Sequence, residues 1–201
     1  MKRARPYDRE AALDAAVSLF WTKGYHATSL KDLEAALSMR PGSIYAAFKN
    51  KEALFCAALE RYFQKNIAEL HEKIPASPSP LQGLCDHLRW LGQNQGGDCN
   101  SRACMLIKTL LDTTASEARI AEQARCYLDR IQAEIATIFD RAKACGELSP
   151  EMETGRLARR YQSDITALRI EAHRGTDRDG LADLAEDLAQ GWEQLRDQSH
   201  N

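Results

Sequence analysis

The side chains best suited to chemistry in this 201-residue chain are basic and hydroxyl groups between positions 27 and 55. The segment reads ATSLKDLEAALSMRPGSIYAAFKNKEALF, in which two short helices flank a tight turn and a third helix begins. Thr28 or Ser29 can cap the first helix, and residues 40–42 (Arg-Pro-Gly) break it. The second helix, over residues 43–48, is long enough for two turns. This layout is typical of a helix-turn-helix that docks on DNA.

Direct contacts to bases are expected from the outward side of that second helix. If the helix starts near Gly42, its outward side carries Ser43, Ala46 and Ala47, and its inward side carries Ile44 and Phe48. Arg40 at the turn can reach guanine edges, and Ser43 can donate or accept a hydrogen bond. Ala46 or Ala47 can contact the methyl group of thymine.

The charge of the chain is distributed unevenly. The net charge is −2, but residues 1–55 carry nine Lys or Arg and six Asp or Glu, which gives +3 and leaves −5 for the remainder. A basic head on an acidic body suits a protein that presents one end to phosphates. The basic arm before Pro6 either reaches into the minor groove or stays solvated.

Helical periodicity extends over the whole chain, and no stretch alternates at the period of a strand. The first helix is expected over residues 8–23, ended by Gly24, and another runs from Lys51 after Asn50 as a cap. The prolines of residues 75–80 form a connection. Ser149 and Pro150 are expected to open a later helix as cap and first residue. The predicted fold is all-α, with about nine helices.

Two domains are predicted within this all-α fold. Residues 1–50 form an N-terminal three-helix helix-turn-helix domain that binds DNA. Residues 51–201 form a larger antiparallel helical domain for effector binding and dimerisation.

Several other classes of protein are disfavoured by the composition. No window approaches the roughly 18 apolar residues of a membrane span, and the N-terminus lacks the apolar stretch of a signal peptide, so a cytoplasmic protein is expected. The six cysteines include no CxxC pair, and no histidine lies at zinc-ligand spacing from them, so neither metal nor cofactor is predicted. No motif of an enzyme active site is found.

The head of the chain resembles the TetR family of bacterial transcription regulators. The matching strings are LFWTKGYHATSL at residues 19–30, then Asp32-Leu33 and Ala35-Ala36, then GSIYAAF and KNKEALF. The resemblance implies a transcriptional repressor that binds a palindromic operator in double-stranded DNA as a homodimer. It also implies a small-molecule effector, of a class that the sequence does not reveal, and places Thr28, Tyr45 and Lys51 at phosphate-binding positions. Lys49 is expected to be either solvated or bound to phosphate.

The chain departs from the family pattern at two places. Ser38 stands where the family usually has a glycine at the end of helix 2, so the turn is expected to differ slightly. Ala46 and Ala47 replace larger side chains, which reduces sequence readout through hydrogen bonds.

The resemblance also suggests residues for the body of the protein. The last two helices are expected to pair in a four-helix bundle through Leu157, Tyr161, Ile165, Leu168, Leu184, Leu188 and Trp192, although some of these must pack within the subunit. The candidate residues lining an effector pocket are Trp90, Cys104, Tyr127 and Tyr161.

Cys104 is also a candidate thiol sensor. SRACMLIK at residues 101–108 resembles the Gly-Cys-Leu segment that opens helix 6 in many TetR proteins, some of which respond to electrophiles or oxidants. A position near a helix N-terminus, beside Arg102 and Lys108, favours the thiolate. Cys99 is a candidate resolving partner. The alternative is a buried structural cysteine.

Two rival functions remain open at this level. The first is a helical protein-interaction module whose basic head binds an acidic partner instead of DNA. The second is an enzyme with an unrecognised site.

Overall fold

A computed structural model of the chain describes residues 8–74, 79–94 and 103–198. Within these ranges the chain forms nine α-helices and one 3₁₀ turn, without any β-strand, which confirms the predicted all-α class. None of the described helices is long and apolar enough to cross a membrane. The helices are α1 (Arg9–Ala27), α2 (Leu30–Leu37), α3 (Pro41–Phe48), α4 (Lys51–Lys73), α5 (Pro80–Asn94), α6 (Met105–Asp112), α7 (Ala118–Ala144), α8 (Thr154–Arg174) and α9 (Arg178–Gln198), with the 3₁₀ turn at Ala115–Glu117.

The chain forms two compact units. The first comprises Met1–Gln64 and Met105–Arg125, and the second comprises Lys65–Cys104 and Cys126–Asn201. The unit boundaries follow packing, and they fall inside α4, immediately before α6 and inside α7. The functional division expected between residues 50 and 51 stays a prediction.

Aromatic side chains of α1 and α4 hold the first unit together. Phe20 meets Phe55 edge to face, with ring centroids 4.9 Å apart, and Trp21 meets Tyr62 in the same way at 5.1 Å. Each such pair adds about 0.5–1.5 kcal/mol beyond the burial of its area. These contacts give α1 and α4 a fixed relation, against which the short α2 and α3 can pack.

Gly24, which was expected to end the first helix, bends α1 instead. Its φ of 79° and ψ of 173° lie outside the helical region, in a conformation that only glycine adopts freely. A last turn continues to Ala27, where the Thr28 hydroxyl donates to the carbonyl of Gly24 at 2.7 Å. The bend lets the chain turn from α1 into α2.

The core of the second unit is built around three aromatic rings on α7, α8 and α9. Phe139, Tyr161 and Trp192 are each 0% exposed, with ring centroids 5.2–6.1 Å apart. On α5, Gly92 allows a close approach to α9. A Cβ added there would lie 2.4 Å from the Cβ of Ala185, far inside van der Waals contact.

The predicted start of α8 at Ser149 and Pro150 is wrong. The helix begins at Thr154, because Glu153 has an extended backbone (ψ 106°) and acts as its N-cap. Ser149 belongs to a separate turn, in which its carbonyl accepts from the Met152 amide at 3.1 Å and its hydroxyl from the Glu151 amide at 3.3 Å. A Ser-Pro pair suits this turn as well as it suits a helix start, so the sequence did not distinguish the two.

Candidate functional site

The first helix of the helix-turn-helix, α2, starts at a capping box. The Ser29 hydroxyl accepts from the Asp32 amide at 3.2 Å, and the Asp32 carboxylate accepts from the Ser29 amide at 2.8 Å. This reciprocal pair satisfies amides that the first turn of a helix otherwise leaves free. Ser29 is therefore the cap of α2, which decides between the two residues that the sequence had left open.

The turn between α2 and α3 contains a left-handed residue. Ser38 has φ 52° and ψ 37°, and its amide donates to the carbonyl of Glu34. A residue other than glycine costs about 1–3 kcal/mol in this conformation. Ser38 thus adopts the left-handed conformation that a glycine would adopt here, and its backbone is strained.

The helix after the turn, α3, separates a buried side from an exposed one. Pro41 occupies its first turn, where the missing N–H has no helical partner to lose. Ile44 and Phe48 are 2% and 5% exposed, which confirms their predicted inward direction. We call the opposite side the α3 outer row; its members are all exposed, Tyr45 to 44%, and they are Ser43, Tyr45, Ala46 and Ala47.

A tight turn between α3 and α4 presents Lys49 to solvent. Lys49 has a positive φ of 68° with ψ −57°, and the Asn50 amide donates across it to the Phe48 carbonyl at 2.8 Å. A turn of this kind is rare and strained. The Asn50 side chain then accepts from the Ala53 amide at 2.7 Å, which confirms Asn50 as a cap for α4.

Most acidic groups of the head are engaged by partners within the first unit. The Lys23 ammonium lies 2.7 Å from Asp32 and, together with the bonds from Ser29, lowers the pKa of that carboxyl. Arg61 binds Asp14 at 2.9 and 3.2 Å and forms an ion pair with Glu10. These negative charges are therefore partly neutralised at short range, which favours the approach of a polyanion.

The cations beside the α3 outer row have fewer partners. Arg40 and Lys49 are exposed, and within the described part of the chain neither forms an ion pair. Lys51 is half-buried, with Nζ 4.6 Å from the ring centroid of Tyr25, and burial lowers its pKa. The ring holds the Lys51 ammonium in place by a cation–π contact, and the N–H donors of the ammonium can still bind a phosphate.

Thr28 lies differently from the other predicted DNA contacts. Its side chain is 1% exposed, and its hydroxyl is engaged by the carbonyl of Gly24. A phosphate contact through that hydroxyl requires the bond to Gly24 to open, so we restrict the candidate surface to the α3 outer row, Arg40, Lys49 and Lys51.

A cavity in the second unit is a second candidate site. Its volume is about 40 Å³, and residues of α4, α5, α7 and α8 line it together with Cys104. Cys104, which is 7% exposed, is the residue just before α6. Cys99 and Arg102 lie outside the described residues, and Lys108 donates to the carbonyl of Trp21 at 2.8 Å.

The other three predicted pocket residues do not line this cavity. The Trp90 ring lies under the Lys73 ammonium at 4.8 Å, the Tyr127 ring is 5.9 Å from the Arg130 guanidinium, and Tyr161 is a core residue. Sequence reasoning missed His87 and Arg169, which do line it. A single polar residue on an amphipathic helix gives no signal of its own, because its neighbours in space come from distant helices.

The residues predicted for dimerisation fall into three groups. Tyr161, Leu168 and Trp192 are 0% exposed, so they have no surface to bury against a second chain. Ile165 lines the cavity. The remaining three pack against the core from its edge and keep partly exposed side chains, and they are Leu157, Leu184 and Leu188.

Comparison with known proteins places this geometry in a family. Residues 12–58, which span α2 and α3, match the model described as "Bacterial regulatory proteins, tetR family". Over 196 residues the chain is 28% identical to the HTH-type transcriptional repressor ComR of Escherichia coli (strain K12), covering 96% of this chain and 93% of that protein. The chain belongs to the TetR family. It is accordingly a DNA-binding transcription regulator and not an enzyme.

Other TetR-family proteins match over different lengths. The HTH-type transcriptional repressor BdcR of Escherichia coli (strain K12) is 40% identical over 110 residues, 53% of this chain and 54% of that protein. A solved structure of the TetR regulator CifR, a cysteine mutant complexed with 26-bp operator DNA, superposes with a TM-score of 0.85 at 27% identity. That match covers 94% of this chain and 100% of the CifR chain.

Replacing Tyr45 or Lys51 with alanine should weaken duplex binding. A hydrogen bond to a charged group is worth about 1.5–3 kcal/mol, so each loss should lower affinity about tenfold or more. Lys51→Ala should also reduce the slope of log affinity against log salt by about one. The measurement is fluorescence anisotropy with duplex DNA from 50 to about 300 mM salt.

Lys65→Ala serves as the matched control, because Lys65 is an exposed lysine of the second unit. Its affinity and salt slope should equal those of the wild type. Unchanged binding by Tyr45→Ala and Lys51→Ala, with melting temperatures preserved, would contradict the proposed surface.

Proposed function

We propose that the protein is a repressor that binds a palindromic operator as a homodimer and releases it when a small molecule occupies the cavity of the second unit. The observation that carries this proposal is the α3 outer row, an exposed helix side held in place by the buried Ile44 and Phe48. The operator complex of CifR, a relative that matches along nearly the whole chain, supports operator binding by this chain. The site of action is the cytoplasm, where operator DNA is found.

Each side chain of this surface has a task that fits its chemistry. The small residues of the α3 outer row let the helix approach the base edges in the major groove. Arg40 can form two hydrogen bonds with a guanine, and Lys49 and Lys51, at the end of α3 and the start of α4, can bind backbone phosphates. Base-specific contacts are few, so affinity depends strongly on phosphate contacts and on salt.

Two copies are needed because one head makes too few contacts. Helix-turn-helix proteins pair so that two recognition helices meet half-sites about 34–36 Å apart. On α9, Leu184 and Leu188 are one turn apart and partly exposed. On α8, Leu157 is likewise partly exposed and packs against the edge of the core. These three residues form the pairing face that we propose.

The route from the cavity to the DNA head follows the chain. Cys104 lines the cavity, and α6 starts at the next residue. Within the first unit α6 is bonded to α1, since Lys108 donates to the Trp21 carbonyl and the His26 ring nitrogen lies 3.2 Å from the Asp112 carbonyl. A molecule that displaces Cys104 would therefore move α6 and, with it, α1 and the DNA surface.

Leu188→Glu should convert the dimer into monomers and abolish tight operator binding. A carboxylate on an apolar pairing face cannot be buried without a partner, and the lost pairing removes half of the contacts. Sedimentation gives the mass, and binding to DNA selected from a random library gives the affinity, which should fall at least about 100-fold because two-site avidity is lost.

Leu111→Glu is the control, because Leu111 is 80% exposed and belongs to α6 of the first unit, not to α8 or α9. It should remain dimeric and bind normally. A wild-type protein that binds as a monomer, or that selects no inverted repeat, would refute the proposal. Failure to bind any duplex, together with salt-sensitive binding of acidic proteins, would favour an interaction module.

Covalent modification of Cys104 is a second means of release, favoured by its place in the cavity wall. Addition of the thiol to an electron-poor C=C bond forms a C–S bond and passes the thiol proton to the neighbouring carbon. The added group would occupy the same space as a bound effector. A peroxide would oxidise the Cys104 thiol to a sulfenic acid, the peroxide being reduced to water or an alcohol, and attack of the Cys99 thiol on the sulfenic sulfur would form a disulfide and release water.

N-ethylmaleimide should release operator DNA from the wild type and leave Cys104→Ser bound. Serine keeps the size of the side chain but is a poor nucleophile, and the other cysteines are unchanged in this variant. Anisotropy reports release, and intact-protein mass spectrometry counts the adducts. Equal release from both proteins would remove Cys104 from the mechanism.

A further inference from the structure

The cavity of the second unit contains a histidine whose hydrogen bonding is incomplete. His87 on α5 is 4% exposed and lines the cavity. Its Nδ1 lies 2.8 Å from the Tyr161 hydroxyl, whereas its Nε2 is buried without a hydrogen-bond partner among the described residues. Buried polar atoms are nearly always satisfied, so an exception on a cavity wall points to a missing ligand.

The hydrogen bonds of Tyr161 fix the tautomer of this ring. A hydroxyl carries one proton, and the Tyr161 hydroxyl donates it to the carbonyl of Leu84 at 2.9 Å. Its oxygen must then accept from His87, so Nδ1 carries the ring proton. Nε2 is therefore left with a lone pair and can only accept a hydrogen bond.

The His87 ring stays uncharged in this setting. Burial, followed by the nearby charges of Arg169 and Lys73, lowers its pKa to about 3. At neutral pH the ring is thus an acceptor and not a cation, and it offers nothing to an anionic group.

The rest of the wall is apolar or balanced in charge. Arg169 lies 3.9 Å from Glu69 and donates to the Asn66 side chain at 3.0 Å, so the cation is accompanied by a carboxylate. Most of the remaining surface is aliphatic, from Leu70, Leu128, Ile131, Ile135 and Ile165. A wall of this composition favours an apolar, uncharged molecule.

We infer that the cavity binds a small neutral molecule whose hydroxyl or N–H donates a hydrogen bond to His87 Nε2 and whose apolar body lies against the leucines and isoleucines. The inference rests on the proposed function, since this molecule would be the effector. The present volume of about 40 Å³ holds roughly three water molecules, so the ligand has only a few non-hydrogen atoms unless side chains move.

The test compares 2-propanol, acetone and acetate, which are similar in size. Only 2-propanol is both neutral and a donor. NMR titration of the full chain, with ¹⁵N-labelled histidine, should show Nδ1 protonated before addition. 2-Propanol should shift the Nε2 resonance and bind about fivefold more tightly than acetone, and acetate should bind more weakly than either.

His87→Asn is the matched variant, because the asparagine amide can still donate to Tyr161 while the acceptor at Nε2 is lost. It should bind 2-propanol and acetone equally. If the variant is unstable, the wild-type spectra decide alone: a proton on Nε2, equal binding of the alcohol and acetone, or preference for acetate would overturn the inference.

Operator binding separates this inference from the proposed function. A wild type that binds 2-propanol at His87 but keeps its operator supports the ligand class and contradicts effector release. An operator-binding protein without preference for a donor contradicts the ligand class and leaves the DNA-binding role intact.

Discussion

An eight-residue helix is too short to persist alone in water, and the position of α3 depends on burial of Ile44 and Phe48. These two side chains take the inward side, so the opposite row must face solvent. The turns at Ser38 and Lys49, both with positive φ, set where the helix begins and ends. The strain at these turns is tolerated because the packing of α3 fixes both of its ends.

The charges around α3 depend on the same packing. Because α1 and α4 are joined by aromatic pairs, Arg61 on α4 can bind Asp14 and Glu10 on α1. Lys23 on α1 binds Asp32 on α2. The cations at the edge of α3 are then less opposed by neighbouring carboxylates. The cavity of the second unit follows another principle, in which Glu69 accompanies the charge of Arg169, and Nε2 of the uncharged His87 has no hydrogen-bond partner among the described residues. The two proposed sites thus differ in character, one cationic and exposed, the other largely apolar with balanced charges.

Local features of the sequence predicted the head well. The directions of Ile44 and Phe48 follow from helical period, and the break at Gly24 and the cap at Asn50 follow from residue type. The features of the second unit that were missed depend on contacts between distant residues. The helical spacing of apolar residues indicates that Tyr161 and Trp192 are buried. It does not indicate whether they are buried inside one chain or between two chains. Likewise, the hydrogen bond between His87 and Tyr161 joins residues 74 positions apart, so no local sequence pattern predicts it.

Chemical interference on the selected operator tests the central claim most directly. Dimethyl sulfate methylates guanine N7 in the major groove and adenine N3 in the minor groove. If two copies of α3 lie in successive major grooves, N7 methylation should block binding at two positions related by the dyad of the site, about one helical turn apart. Interference confined to adenine N3, or a single block without a symmetric mate, would contradict the account.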